Sequence, residues 1–147
     1  MAAKTREEAI DEALDRDAIS QLPVLFCHAA WTDNPDLQAE QFAEHGSLMI
    51  ESQRVLVTGR ENLRAWFRKD LEAAAPLPLC HNHVIDLQGG GRARGFAAIE
   101  VRSKKYDTLL MGCGYFEDEY VKEGDAWKVL TRRVTFLYFD PHPTRPH

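Results

Sequence analysis

Two histidines on one predicted strand are the residues whose type and spacing most clearly suggest chemistry. His81 and His83 stand two residues apart in the run Leu79 to Leu87. Because strand side chains alternate, both are expected on the same face as Ile85, with Cys80 on the opposite face. A histidine on such an apolar face can titrate near neutral pH and move a proton. The alternative is that each is a pocket-wall residue whose ring is satisfied by a carbonyl. No third ligand has a convincing spacing, so the pattern predicts no metal site.

An acid and an arginine are the other candidates for chemistry. Asp33 follows an apolar helical segment, where Phe26 and Trp31 could raise its pKa to a value useful for a general base. It could equally be a loop acid that caps the next helix. Arg132 has the parity of the more apolar face of the last strand. An inward arginine needs a partner, and Asp118 on the neighbouring strand is the obvious one. Arg132 is therefore predicted either to form a structural pair or to contact a substrate oxygen.

The first half of the chain is predicted to be mainly helical. Apolar spacing indicates a helix from Thr5 to about Ala30, which Pro23 should kink or divide, with a buried second piece. The Asn34-Pro35 pair predicts the start of a short helix that runs to about Glu44. Two short strands, 47–51 and 54–57, should follow. Thr58 and Glu61 have the spacing of a capping box for a helix that runs to about residue 74.

The second half is predicted to be four long strands. Runs rich in β-branched and aromatic residues cover 79–87 and 96–102, with a Gly89–Gly91 turn between them. A long hairpin covers 108–138, and the polar stretch 122–125 connects its arms. Helices on one side of a curved, mostly antiparallel sheet give an α+β fold with a cone-shaped cavity. We expect one domain over residues 1–138 and an irregular, proline-rich tail over 139–147.

The composition of the chain indicates which classes of partner and which cellular compartment to expect. The 147 residues carry 18 basic and 23 acidic side chains, a net charge of −5, with no basic stripe. This pattern disfavours a nucleic-acid partner. No run is apolar enough to span a membrane, and the N-terminal stretch is too charged for a signal peptide. Three widely spaced cysteines do not form a disulfide framework, so we expect a cytoplasmic protein.

Several motifs resemble those of the SnoaL-like group of the nuclear transport factor 2-like superfamily. These are Arg16-x-Ala18-Ile19-x-x-Leu22, Gly59-Arg60-Glu61-x-Leu63, Asn82-His83-x-Ile85, and Phe116-x-Asp118-Glu119-Tyr120 followed by Trp127-Lys128 and Arg132-Arg133. The resemblance covers the chain up to Tyr138. It implies a cone-shaped sheet wrapped around N-terminal helices, with no cofactor, and a homodimer. The superfamily includes scytalone dehydratase, a dehydrochlorinase, polyketide cyclases and dioxygenase small subunits.

The resemblance also implies a place for catalytic residues. Catalytic members use an Asp near the end of the first helical unit and a His at the start of the first long strand. A gapless count places these positions at Trp31 and near Pro78, with Asp33 two residues beyond the first. If Asp33 is the relevant acid, His28 takes the place of a tyrosine found in the dehydratases. Arg132 matches the family's arginine. His28, Trp31, Tyr115 and Arg132 are thus the predicted substrate-binding residues.

Two functions remain open from the sequence. The first, which we favour, is a cofactor-independent lyase or isomerase acting on a small hydrophobic molecule. In it, Asp33 and His81 or His83 carry protons, and Arg132 polarises an oxygen. The second is a non-catalytic pocket domain, such as a small subunit beside a larger oxygenase subunit.

Overall fold

The computed structural model describes residues 2–146, which form an α+β fold with an open, curved sheet. The elements in chain order are α1 (Arg6–Trp31), α2 (Pro35–Glu40), β1 (Phe42–Ile50), a 3-10 turn (Glu51–Gln53), β2 (Val55–Thr58), α3 (Arg60–Ala74), β3 (Pro76–Gly89), β4 (Arg92–Ser103), β5 (Leu109–Glu123) and β6 (Ala126–Phe139). The strand order is β2-β1-β6-β5-β4-β3, and only β1 and β6 pair in parallel among these neighbours. The predicted fold class is confirmed. None of the helices in this part of the chain is long and apolar enough to cross a membrane.

The N-terminal helix is continuous, so the prediction of two separate helices is wrong. The Thr5 hydroxyl accepts from the amide of Glu8 at its start, and Pro23 lies buried inside it. A proline has no N–H, but one lost helical bond is tolerated where the surrounding face is packed. The prediction that the segment from Pro23 to Trp31 is buried is correct for only part of it. Val24 and Trp31 are about half exposed, because the helix packs on the sheet with one face only.

Two further local predictions are corrected. The second helix ends at Glu40 rather than Glu44, because the chain from Phe42 onward pairs with β6. The capping box does not form: Gly59 is the N-cap of α3 and makes no side-chain capping bond, while Glu61 binds Arg64 instead. The Gly89–Gly91 turn is confirmed, with positive φ at all three glycines.

The outer face of the sheet, turned away from the helices, is partly apolar. Phe96 and Tyr115 stack there with ring centroids 4.9 Å apart, and Val84 is 63% exposed. A depression of about 630 Å³ crosses this face. Across the strands, Arg94 is in register with Glu119, so acidic and basic side chains alternate over it. We propose that this outer face pairs two copies of the chain, since it offers exposed apolar side chains with charges of both signs around them.

A mass measurement tests that assembly. Light scattering should give about twice the single-chain mass of 16.7 kDa, and Phe96→Lys should reduce it to one chain because a charge then takes the place of an apolar side chain. Leu14→Lys, on an exposed part of α1, is the matched control and should leave the dimer intact. A single-chain mass for the unaltered protein at every concentration would contradict the proposal.

Candidate functional site

A β-bulge in β3 decides where the two histidines point. Cys80 pairs with Ile99, whereas His83 pairs with Ala97, so three steps along β3 oppose two along β4. Ile99 and Ala97 are both buried, and the bulge therefore places Cys80 and His83 on the same inner face. The prediction that His81 and His83 share a face, with Cys80 opposite, is wrong. The side chains of β3 do not alternate across the bulge, because the bulge inserts one extra residue.

His81 lies on the outer face, and the groups around it are exposed. Its Nε2 is 2.8 Å from Oε1 of Glu100, and the His81 side chain is 52% exposed. Glu100 also contacts Arg102. This arrangement is a surface ion-pair cluster, which contributes little to stability.

His83 belongs to a buried polar network that spans three strands. Its Nε2 is 2.9 Å from the Tyr120 hydroxyl, which donates to Oδ2 of Asp118 at 2.9 Å. Arg132 then donates from Nε and Nη2 to the two carboxylate oxygens of Asp118, at 2.9 and 2.8 Å. Gly95 makes room for the network, because a Cβ there would lie 2.6 Å from the Tyr120 ring. The predicted partnership of Arg132 with Asp118 is confirmed.

Aromatic rings enclose the arginine. The guanidinium carbon lies 4.1 Å from the ring centroid of Phe116, 4.8 Å from that of Phe26 and 5.6 Å from that of Phe42. Burial lowers the pKa of Arg132, but the charge of Asp118 and its hydrogen bonds outweigh burial and raise it above the usual value. The arginine is thus a permanently charged group held by rings and one carboxylate.

The remaining titratable groups around this pair are kept neutral. Burial lowers the pKa of His83, and Asp118 only partly opposes that effect. Since the Tyr120 hydroxyl donates to Asp118, it accepts from Nε2–H of a neutral His83. Nδ1 of His83 is buried without a partner. Burial also raises the pKa of the Cys27 thiol to about 12, so the thiolate needed for reactivity is not formed near neutral pH.

The predicted acid, Asp33, is on the surface rather than at a pocket. It follows α1 with a positive φ of 53°, and its side chain is exposed. Asn34, not Asp33, caps the next helix, by accepting from the amide of Leu37. The hydrogen bonds of His81 and His83 go to Glu100 and Tyr120. The structure therefore does not bring the predicted acid and histidines together.

The predicted pocket aromatics also lie elsewhere. Tyr115 stacks on Phe96 on the outer face, and His28 is exposed in the last turn of α1. Trp31 is 49% exposed, and its indole N–H donates to the carbonyl of Pro78 at 2.7 Å. The two positions at which the family resemblance places its Asp and His are thus held by an indole and a proline that contact each other.

The cavity of the cone lies between the helices and the inner face of the sheet. Its volume is about 110 Å³, smaller than the roughly 150 Å³ of an engineered cavity that holds benzene. Its walls are mostly apolar and include six aromatic side chains: Phe26, Trp66, Phe67, Phe116, Phe136 and Phe139. Phe26 and Phe116 contact Arg132 and also line the cavity, whereas His28, Trp31, Asp33, Tyr115, His81, His83 and Arg132 are not among its lining residues.

Three polar side chains, Gln38, Gln53 and Asp70, interrupt this apolar lining. Asp70 comes from α3, and burial raises its pKa from 3.8 to about 6. Gln38 comes from α2 and is 4% exposed, and its buried Oε1 has no hydrogen-bond partner among residues 2–146. In the part of the chain that the structure describes, Asp70 has no hydrogen bond or ion pair at its carboxylate, and no Lys, Arg or His lines the cavity. An unpaired carboxyl in an apolar cavity is typical of a binding or acid–base site.

The sequence does carry a signal for Asp70. The apolar stripe of α3 contains Leu63, Trp66, Phe67 and Leu71, and Asp70 falls seven residues after Leu63, at the centre of that stripe. An acid at a position reserved for apolar side chains indicates a functional residue. Asp70 is nevertheless absent from the site residues that the sequence predicted.

Comparison with known proteins agrees with this architecture. The fold and the cavity define a small cone-shaped α+β domain with a pocket between its helices and the inner face of its sheet. A SnoaL-like domain model matches residues 11–133, and the chain belongs to that family. No curated protein matches it.

Solved structures show the same fold at low identity. LinA has a TM-score of 0.79 with 18% identity, covering 94% of this chain and 99% of LinA. A protein of unknown function from Mycobacterium tuberculosis has a TM-score of 0.78 with 19% identity, covering 87% of this chain and 75% of that chain. A candidate scytalone dehydratase from Novosphingobium aromaticivorans has a TM-score of 0.76 with 16% identity, covering 91% of each chain. The predicted resemblance is confirmed, and identities this low establish the fold alone.

Replacing Asp70 should stabilise the protein. The pKa of Asp70 is higher in the folded state than its ordinary value of 3.8. Between about pH 4 and pH 6, Asp70 is therefore protonated in the folded state but ionised in the unfolded state. Above that range it is ionised in both states, and the ionised carboxylate destabilises the folded protein. Asp70→Asn should therefore raise the unfolding free energy at pH 8 by up to roughly 3 kcal/mol, and the gain should vanish below about pH 4. Urea unfolding at several pH values measures it. Glu72→Gln, exposed on the same helix, should show no such pH-dependent gain.

Breaking the buried ion pair should have the opposite effect. Asp118→Asn leaves the Arg132 charge uncompensated in a site where both side chains are at most 1% exposed. We expect a loss of about 3–5 kcal/mol. Tyr120→Phe keeps the pair and removes one hydroxyl, so it should lose about 1–3 kcal/mol. Equal losses in urea unfolding would show that the pair is not the main support of this region.

Proposed function

We propose that this protein binds a small organic molecule in its cone cavity, with Asp70 as the polar anchor. The observation that supports the proposal is that the Asp70 carboxyl and Oε1 of the buried Gln38 line the same largely apolar cavity, and that neither has a hydrogen-bond partner among the described residues. A bound ligand would supply the polar partner that both groups lack. The free energy lost by leaving Asp70 unpaired argues for a role other than folding.

The size of the cavity limits the ligand. At about 110 Å³, it has room for about as many atoms as a single small ring, unless the walls move. Ala74 lies on the wall at the end of α3, next to exposed Ala73. These two alanines offer a matched pair of substitutions for testing whether the cavity is the binding site.

Ligand-observed NMR with cyclopentanone tests the binding proposal. The unaltered protein should bind this compound, which has six non-hydrogen atoms. Ala74→Leu should weaken binding at least tenfold because the added methyl groups fill the cavity, and Ala73→Leu should leave binding unchanged. Equal binding by both variants would place the site elsewhere.

A second function, acid–base catalysis as a lyase or isomerase, is favoured by the same carboxyl. A pKa of about 6 leaves Asp70 largely ionised at neutral pH yet basic enough to accept a proton from carbon. It would take the proton from the carbon next to the ligand's carbonyl, which leaves an enolate, and would return a proton to the same carbon. This assignment replaces Asp33 and the two histidines in the proton-transfer role.

Deuterium exchange distinguishes catalysis from binding. If Asp70 is a base, the protein should exchange the protons beside the cyclopentanone carbonyl for solvent deuterium, with a rate that rises through about pH 6 and then levels off. Asp70→Asn should lower this rate about 10²–10⁴-fold, with Glu72→Gln as the control. If the protein binds cyclopentanone but does not exchange its protons, only the non-catalytic binding function is supported.

A further inference from the structure

The cavity differs from a simple hydrophobic pocket in the charge that it offers to a ligand. Six aromatic side chains and one carboxyl line it, and among the described residues no cationic side chain does. The negative faces of aromatic rings attract cations, and an ionised carboxylate does so more strongly. The unpartnered Oε1 of Gln38 is a hydrogen-bond acceptor that requires a donor. All of these features favour a ligand with positive charge and an N–H group.

The protein already contains a cation in similar surroundings. The Arg132 guanidinium lies among the rings of Phe26, Phe42 and Phe116 and is bound by Asp118. That site holds the cation as part of the chain. The cavity repeats its components, aromatic rings and one carboxylate, without a cation.

The Arg132 charge does not oppose a second cation strongly. Asp118 neutralises it through two hydrogen bonds, so the pair as a whole has no net charge. The other four cavity rings, Trp66, Phe67, Phe136 and Phe139, are not among those around the guanidinium.

Arg64 and Arg68 of α3 form their ion pairs with partners other than Asp70. Arg64 pairs with Glu61 and, across the surface between α2 and α3, with Asp36. Arg68 approaches Asp36 as well. Burial is the only cause of the raised pKa of Asp70, so none of these charges compensates its carboxylate.

We propose that the ligand of this cavity is a compact organic cation, a protonated amine of about four to six non-hydrogen atoms, held between the Asp70 carboxylate, the Gln38 carbonyl and the aromatic rings. The inference rests on the proposed small-molecule binding. It differs from the small hydrophobic ligand expected from the sequence, because it assigns Asp70 the role of a counter-ion. An amine of this size would bury its alkyl groups against the rings and direct its N–H groups to the two acceptors.

Two probes with the same tert-butyl body test the charge. tert-Butylammonium and tert-butanol each have five non-hydrogen atoms, and only the first carries a charge between pH 5 and pH 8. Titration calorimetry should show tighter binding of tert-butylammonium. Its affinity should rise about tenfold from pH 5 to pH 7, because only the ionised form of Asp70, with a pKa of about 6, binds it.

Variants assign the effect to the named residues. Asp70→Asn, which is expected to fold at least as stably as the unaltered protein, should abolish the preference for tert-butylammonium while keeping tert-butanol binding. Gln38→Leu should weaken the ammonium by about tenfold, the loss expected when one hydrogen bond to a charged donor is removed. Glu72→Gln should behave as the unaltered protein.

The outcomes separate the two proposals. Equal or tighter binding of tert-butanol, or an ammonium affinity that Asp70→Asn leaves unchanged, would overturn the cation assignment while small-molecule binding stands. If neither probe nor cyclopentanone binds, the proposed function itself fails.

Discussion

The arrangement of the core depends on a buried ion pair that joins β5 and β6. Arg132 of β6 and Asp118 of β5 are in register and almost fully buried. Taking two charges out of water is unfavourable unless their geometry is good and other groups satisfy them. Here the bidentate contact, the Tyr120 hydroxyl and the surrounding rings provide that compensation. The aromatic side chains of the core therefore surround the charge of Arg132. Two of them, Phe26 and Phe116, also form part of the cavity wall.

Buried Asp118 and half-buried Asp70 show how environment separates structural from functional carboxylates. Asp118 is paired and hydrogen-bonded, so it serves the fold. Asp70 faces an apolar cavity without a partner, and its pKa rises for that reason. Burial alone is unfavourable to an ionised carboxylate, whereas burial beside an arginine is not. The same residue type thus has opposite consequences for stability, and only the unpaired acid is available to a ligand.

The family fold is present without the catalytic pair that the resemblance implies. Trp31 and Pro78 occupy the two positions, and the bond from the indole to the Pro78 carbonyl joins α1 to the start of β3. An indole and a proline cannot exchange protons with a substrate near neutral pH. The cone cavity persists because it is formed by the packing of helices on a curved sheet, which does not depend on those two side chains.

The sequence by itself determined the fold class, the long helices and strands, the final hairpin and the Arg132–Asp118 pair. These follow from the periodicity of apolar residues and from the partner that a buried charge requires. It could also have revealed Asp70, as an acid within the apolar stripe of α3. The tertiary structure alone decided the direction of His81 and Cys80, because one inserted residue at the bulge reverses the alternation. It also decided which side chains meet in the cavity, since Gln38 and Asp70 belong to different helices that only packing brings together.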